Sequence, residues 1–312
     1  MKRENYDFVS LGAGPAGLTA VLYASRAGMT TLAVDHGPPG GQLHNTEQVD
    51  NYPGFPEGVA GPRLADLMLK QAERFGAEVA YGEVEGIGER GEDGYLMVRV
   101  GGEAVRAGTV LIATGALPGK IGIPGEEEFA GKGVSYCAIC DGAFFRGREV
   151  CVVGGGDSAV EEAVYLSKLC SKVKVVHRRD ELRARRVARD AAFGTKNIEF
   201  VWSHVPIEIR GGDAVEALVV RSVKTGGETA IPCGGVFIYV GFVPNTGFVD
   251  PEKIRLNEQG FVITGGDMQT SMPGVFAAGD VRRISNRQII TACADGSEAV
   301  LSAERYMQER GR

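Results

Sequence analysis

A chain of 312 residues with 44% apolar and 24% charged side chains is long enough for two globular domains. Its net charge of -6 argues against a nucleic-acid binder, whose surface is basic. No run reaches the roughly 18 apolar residues of a membrane-spanning helix. Of the six cysteines only one pair is close in sequence, which is no disulfide framework and points to a reducing, cytoplasmic setting. Lys2 and Arg3 ahead of the uncharged run 9–25 suggest a leader peptide. Glu4 and Asp7 interrupt that pattern, and Gly12, Gly14, Pro15 and Gly17 break the apolar stretch. A strand, a phosphate-binding turn and a helix explain these residues better, so a soluble, unprocessed protein is expected.

Residues 5–11 read as a buried strand, 16–27 as a helix and 30–35 as a second strand. The turn between strand and helix is Gly12-Ala13-Gly14-Pro15-Ala16-Gly17. In such a G-x-G-x-x-G turn the first glycine permits the bend and the second lets backbone approach a pyrophosphate. The third lets helix and strand pack closely. Asp35, at the tip of the second strand, is placed to accept from ribose hydroxyls, so the unit reads as a dinucleotide site. Residues 37–62 form a long loop, of a kind that is usually functional. A helix follows over 62–75, then strands near 78–81, 84–87, 95–100, 103–107 and 110–113.

The segment 116–131 is rich in proline and glycine and marks a first boundary. Directly after it stands Cys137-Ala138-Ile139-Cys140-Asp141. Zinc binding would need a second cysteine or histidine pair at similar spacing, which the chain lacks. A buried inert pair and a redox-active dithiol are the other readings, and the adjacent carboxyl of Asp141 favours the redox one. No metal site is expected.

A second βαβ unit follows: a strand over 149–153, a helix over 157–169 and a strand over 172–177. Its turn, Gly154-Gly155-Gly156-Asp157-Ser158-Ala159, is the accepted G-x-G-x-x-A variant. Here the second strand runs into His177-Arg178-Arg179 and Arg183, with no carboxylate at its tip. Guanidinium groups there match a ribose 2′-phosphate, so NADPH is the expected nucleotide. Arg185, Arg186 and Arg189 read as a solvated helix face. Together with Lys132 they are also candidate docking charges for an acidic protein. Strands near 198–202, 205–210, 215–222 and 235–240 lead to a second boundary at 241–246. Cys151, Cys170, Cys233 and Cys293 read as structural. The chain closes with a strand in 274–281 that ends in Gly279-Asp280, then Arg287-Gln288-Ile289, and a helix over 291–308. A Gly-Asp turn suits the ribityl or phosphate part of a flavin nucleotide.

Eight motifs, taken in order and spacing, resemble the bacterial low-molecular-weight thioredoxin reductases over essentially the whole chain. They are the segments 12–17, Gly-Gly-Gln-Leu at 40–43, Ala113-Thr114-Gly115, 137–141, 154–159, 177–183, Phe-Ala-Ala-Gly-Asp-Val at 276–281, and Arg287-Gln288. The resemblance implies an α/β fold of two Rossmann-like three-layer (ββα) domains. A discontinuous FAD domain (1–117 and 245–312) would accept an inserted NADPH domain with the redox disulfide (118–244). It also implies a homodimer acting on thioredoxin or a thioredoxin-like protein, with non-covalent FAD.

On this resemblance FAD is held by Gly12, Ala13, Gly14, Pro15, Ala16, Gly17, Asp35, Gly41, Gln42, Leu43, Asn51, Val84, Ala113, Thr114, Gly115, Gly279, Asp280, Arg287, Gln288 and Ile289. NADPH is held by Gly154, Gly156, Asp157, Ser158, Ala159, His177, Arg178, Arg179, Arg183 and Gly241. Cys140 is the sulfur nearest the flavin, Cys137 attacks the partner disulfide and Asp141 is the general acid. The NADPH domain rotates about hinges near 116–121 and 242–246. Ile139 departs from a common threonine and Ile289 from a common alanine. A dithiol oxidase that needs no nicotinamide is disfavoured by Arg178, Arg179 and Arg183. A non-enzymatic redox sensor is disfavoured by Cys137, Cys140 and Asp141.

Overall fold

Buried apolar runs set the order of elements in this computed structural model, which describes residues 3–46, 48–283 and 286–310. Lys2, part of the leader reading, lies outside the described residues. The chain begins with β1 (Asn5–Leu11), α1 (Pro15–Arg26), β2 (Thr31–Asp35), α2 (Gly61–Arg74), β3 (Glu78–Tyr81), β4 (Val84–Arg90), β5 (Leu96–Val100) and β6 (Glu103–Ile112). It then runs through β7 (Ala116–Pro118), β8 (Val134–Ser135), α3 (Ala138–Asp141), β9 (Glu149–Val153), α4 (Asp157–Ser167), β10 (Lys172–His177) and α5 (Arg186–Phe193). The strands β11 (Ile198–Trp202), β12 (His204–Gly211), β13 (Val215–Ser222), β14 (Glu228–Pro232) and β15 (Gly235–Ile238) follow. Last come β16 (Phe242–Pro244), β17 (Val275–Ala277) and α6 (Ile289–Gln308).

The chain divides into two compact units, Met1–Leu117 with Val243–Arg312, and Pro118–Phe242. In the first unit the sheet order is β3-β2-β1-β6-β5-β4, with β17 also pairing β6. Strands β1, β2, β3, β17 and the end of β6 are parallel, whereas β4, β5 and the start of β6 form an antiparallel meander. Phe8, Ala33, Leu111 and Phe276 pack against α1 and α6 residues such as Leu18, Val21 and Val300. Val9, Leu11, Val34 and Ile112 instead join Val98, Val105, Ile254 and Val262 in a second core. A parallel strand covered on both sides is buried on both faces, as β1 is from Phe8 to Leu11.

The second unit repeats the plan. Its parallel sheet runs β11-β10-β9-β15-β8, and β12-β13-β14 form a separate antiparallel sheet. Alternate residues of β9 point to opposite layers. Val150 and Val152 meet the helices α4 and α5, while Cys151 and Val153 meet β12, β13 and β14. Each unit thus has helices, a parallel sheet and an antiparallel layer. The chain crosses between the units through β7 and β16, which pair with each other.

Two local expectations need correction. The strands expected at 103–107 and 110–113 are one strand, β6, which runs on through Gly108 and Thr109. A side chain there would stand 2.9 Å from the Asp7 carbonyl, so glycine serves close strand approach. β14 was not anticipated. It is a mostly exposed edge strand with no apolar alternation to betray it.

Candidate active site

β8 ends at Ser135 and the chain turns at once into α3, a single helical turn with Cys137 as its N-cap. This brings the two cysteine Cα atoms within 5.3 Å, and the sulfurs are joined as a disulfide. Cys140 is exposed and Cys137 half-buried, so the reading of a buried inert pair is set aside. The Ser135 hydroxyl donates to Asp141 Oδ2 at 2.5 Å and accepts the Cys137 backbone N–H at 3.1 Å. Burial pushes the Asp141 pKa up, and the Ser135 hydrogen bond offsets part of that rise. The result is a carboxyl group that holds its proton more readily than usual, one residue from Cys140. Among the described residues no group of three or more His, Cys, Asp or Glu could hold a metal. The four remaining cysteines are buried.

The first glycine turn is held open by backbone geometry. Gly12 sits at φ +107°, and a Cβ there would stand 2.3 Å from the Ala113 carbonyl oxygen. A Cβ on Gly17 would stand 2.0 Å from the Gly12 carbonyl oxygen, so α1 approaches β1 as closely as backbone allows. Asp35 is drawn into the turn, where its Oδ2 accepts the Ala13 N–H at 2.7 Å. The Gly40 N–H donates to the Ala13 carbonyl at 2.8 Å and carries Gly41, Gln42 and Leu43 alongside. Asn51 Nδ2 donates to Gln288 Oε1 at 3.1 Å, and Ile289 packs on the cluster containing Leu43 and Val49. Thr114 and Asn245 exchange two hydrogen bonds, with Thr114 Oγ1 donating at 2.7 Å and Asn245 Nδ2 at 2.8 Å. Val84 lies on β4, three places from β1 in the sheet order, and is half-buried against the core.

Gly279 closes this cradle. Its N–H donates to Asp295 Oδ2 at 3.1 Å, and Asp295 is paired with Arg282 at 2.6 Å. Asp280 Oδ1 is buried with no hydrogen-bond partner. Burial, reinforced by Asp295 and opposed by Arg287, raises the Asp280 pKa to about 6. A buried acceptor beside an open glycine turn fits a nucleotide that brings hydroxyl donors and a pyrophosphate, as a flavin dinucleotide does.

The second glycine turn differs at its rim. The His177 ring is tucked against Gly155, where a Cβ would stand 2.4 Å from ring atoms. His177 is buried and its Nε2 has no partner. Burial lowers its pKa, and Arg183, Arg179 and Arg178 lower it further. Those three arginines are exposed, and the Arg183 N–H donates to the Gly155 carbonyl at 2.7 Å, fastening the basic segment to the turn. Gly156 faces open space, with no atom within 4 Å of a built Cβ. An open glycine beside three guanidinium groups fits a nucleotide with an extra phosphate. Asp157 accepts the Arg185 N–H at 2.7 Å, and the Arg185 side chain reaches Glu161 at 2.8 Å. Arg185 therefore ties α4 to the residue ahead of α5, where a free helix face was expected. Gly241, at φ +117°, accepts the Gly119 N–H at 2.8 Å.

Sequence reasoning missed Ser135, Glu162, Tyr239 and Asp295. Ser135 lies two residues before Cys137 and had a local signal. The other three reach their positions only through tertiary packing. No described helix is long and apolar enough to cross a membrane.

Residues 6–296 match the family model described as pyridine nucleotide-disulphide oxidoreductase. A thioredoxin reductase of Bacillus subtilis is 48% identical over 306 residues, covering 97% of this chain and 95% of that protein. A thioredoxin reductase of Listeria innocua is likewise 48% identical, covering 97% and 94%. The crystal structure of thioredoxin reductase from Streptococcus pyogenes superposes with a TM-score of 0.89 at 45% identity, covering 98% of this chain and 99% of that one. The chain belongs to the pyridine nucleotide-disulphide oxidoreductase family and, within it, to the thioredoxin reductases.

Proposed function

We propose that the protein reduces the disulfide of thioredoxin at the expense of NADPH, using FAD and the Cys137–Cys140 pair. The observation that carries this reading is the Cys137–Cys140 disulfide, exposed at Cys140, with the Asp141 carboxyl held beside it by Ser135. A bound flavin is the two-electron relay that such a pair needs between nicotinamide and disulfide. In the first unit the Gly12–Gly17 turn, Asp35, Asn51, Gly279, Asp280 and Gln288 would hold it. In the second, Gly154, Gly156, Arg178, Arg179 and Arg183 would hold NADPH.

Asp141, with its raised pKa, supplies a proton to the thiolate that leaves when the cysteine pair opens. The Cys137 thiolate then attacks one sulfur of the thioredoxin disulfide and forms a mixed disulfide. Cys140 attacks Cys137, which restores the internal pair and releases thioredoxin as a dithiol with two more electrons and two more protons. The paired crossings β7 and β16 are the place for the rotation that lets one cysteine pair serve both half-reactions. The reading includes a cytoplasmic homodimer.

The test is anaerobic reduction of the purified yellow protein by NADPH and, separately, NADH, with thioredoxin and a thiol-reactive dye as reporter. Fast dye reduction that needs both NADPH and thioredoxin is expected. Flavin bleaching without thioredoxin reduction would overturn the partner, and no bleaching by either nucleotide would overturn the donor.

A further inference from the structure

The cysteine turn has a second acid group beside it, on the neighbouring helix α4. The backbone N–H of Ala138 donates to the Tyr239 hydroxyl at 2.7 Å. A tyrosine oxygen that accepts in this way still has its own proton to give. The group facing that proton is the carboxyl of Glu162, which also faces the backbone N–H groups of Ala138 and Ile139. Its Oε2 is buried with no hydrogen-bond partner. Ala138 and Ile139 are the two residues between the cysteines, so whatever holds their backbone also holds the sulfurs.

We propose that Glu162, together with Tyr239, is a positioning residue for the Cys137–Cys140 turn, and that its protonation state sets how readily the reduced pair presents a thiolate. The inference rests on this disulfide being the working redox pair. The buried, unpartnered Glu162 Oε2 and the Tyr239 hydroxyl on the Ala138 N–H support it. Burial, and then the neighbouring Glu161, raise the Glu162 pKa to about 7, against the pull of Ala138, Tyr239 and Ile139. The group therefore titrates in the working range of thiol chemistry. The titratable groups that face the pair are Glu161 on α4, Tyr239 after β15 and, facing Tyr239, Asp141 on α3. Protonated, Glu162 adds no charge to a turn in which the Cys140 N–H already faces Cys137 Sγ at 3.2 Å. Ionised, it repels a second negative charge there.

The test uses the flavin-loaded protein reduced with dithiothreitol, desalted without oxygen and alkylated with iodoacetamide from pH 5 to 9. Mass spectrometry follows the rate at Cys137 and Cys140 separately. Wild type is expected to show a step near pH 7 besides the thiol's own rise. Glu162→Gln is expected to lose that step and to alkylate about three- to tenfold faster at pH 8. Tyr239→Phe, which removes a hydroxyl that lowers the Glu162 pKa, is expected to move the step to higher pH. Profiles of both variants superimposing on wild type would overturn the inference. So would a Glu162→Gln profile scaled down equally at every pH, the mark of a merely structural role. If Glu162→Gln does not fold, the Tyr239→Phe profile decides alone. Dithiothreitol makes the result independent of donor and partner. Unchanged profiles in a protein that still reduces thioredoxin with NADPH would sink this inference and leave the proposed function standing.

Discussion

The two glycine turns share a backbone and differ at the tip of the strand that follows. Gly12 at φ +107° and Gly154 at φ +151° are both closed to a side chain, while a Cβ on Gly14 would meet only Gly41 Cα at 4.0 Å and Gly156 looks onto open space. At the first turn, Asp35 accepts the Ala13 N–H. At the second, His177 is buried beneath Gly155 and the exposed arginines Arg178, Arg179 and Arg183 follow. The shared part suits any pyrophosphate, because backbone N–H groups and a close approach are all it asks. On the proposed function the differing part would read the ribose, where a carboxylate favours free hydroxyls and guanidinium groups favour a phosphate. One supersecondary unit can therefore be used twice in a chain and given two ligands by a few residues at one strand end.

The sharpest break separates the regions by removing what joins them chemically. Cys137→Ser is expected to abolish thioredoxin reduction while NADPH still bleaches the flavin. Loss of bleaching as well, in an anaerobic stopped-flow trace at the flavin band, would mean the cysteine is not confined to the second half-reaction. Next, Gly12→Ala and Gly156→Ala should part company. The first forces a Cβ to 2.3 Å from a carbonyl oxygen at positive φ, and should cost about 3 kcal/mol or more and release flavin. The second has free space and φ near -90°, so its melting temperature should stay at the wild-type value. Thermal melts with flavin absorbance check both, and equal losses would show that Gly156 is as closed to a side chain as Gly12.

Asp141→Asn removes a proton donor, and transfer of electrons to the cysteine pair should slow by about 10²-fold or more. A rate within threefold of wild type in rapid-mixing experiments would remove Asp141 from its role. The Arg178→Ala/Arg179→Ala double variant should raise the KM for NADPH about 10- to 100-fold, as loss of charge-assisted hydrogen bonds does, and leave NADH nearly unaffected. Steady-state kinetics with both nucleotides decide this, and parallel losses would refute phosphate reading by these arginines.

The smallest effect is at Asp280. Its folded pKa of about 6 lies above the ordinary carboxylate value of 3.8, so the folded state binds this proton more tightly than the unfolded chain. That contribution is present at acid pH and is lost as pH rises through 6, by roughly 1–3 kcal/mol. In flavin-free protein, Asp280→Asn should therefore gain more in melting temperature over wild type at pH 8 than at pH 5. An equal gain at both would mean the carboxyl titrates normally.

Much of the first turn could be read in the sequence because its pieces are near neighbours. Gly12, Gly14, Gly17 and Asp35 lie within one βαβ unit, whose period and spacing are local. The cysteine turn is likewise local, and Ser135 could have been added from its place two residues before Cys137. β14 escaped because a mostly exposed edge strand carries no hydrophobic alternation. The expected strands stop short of Gly108, and a glycine that ends a strand and one that admits a neighbouring strand look the same in sequence.

Local chemistry by itself determined the two glycine turns, their opposite charges at the strand tips and the small disulfide between them. Tertiary structure alone decided which groups stand behind these motifs. Asp295 reaches Gly279 from α6, 16 residues downstream. Tyr239 reaches Ala138 across 101 residues, to the end of β15. Such partners are chosen by sheet order and helix packing, which place distant residues side by side with no periodicity to announce them. Burial then shifts their proton affinities, and burial is a property of the folded chain.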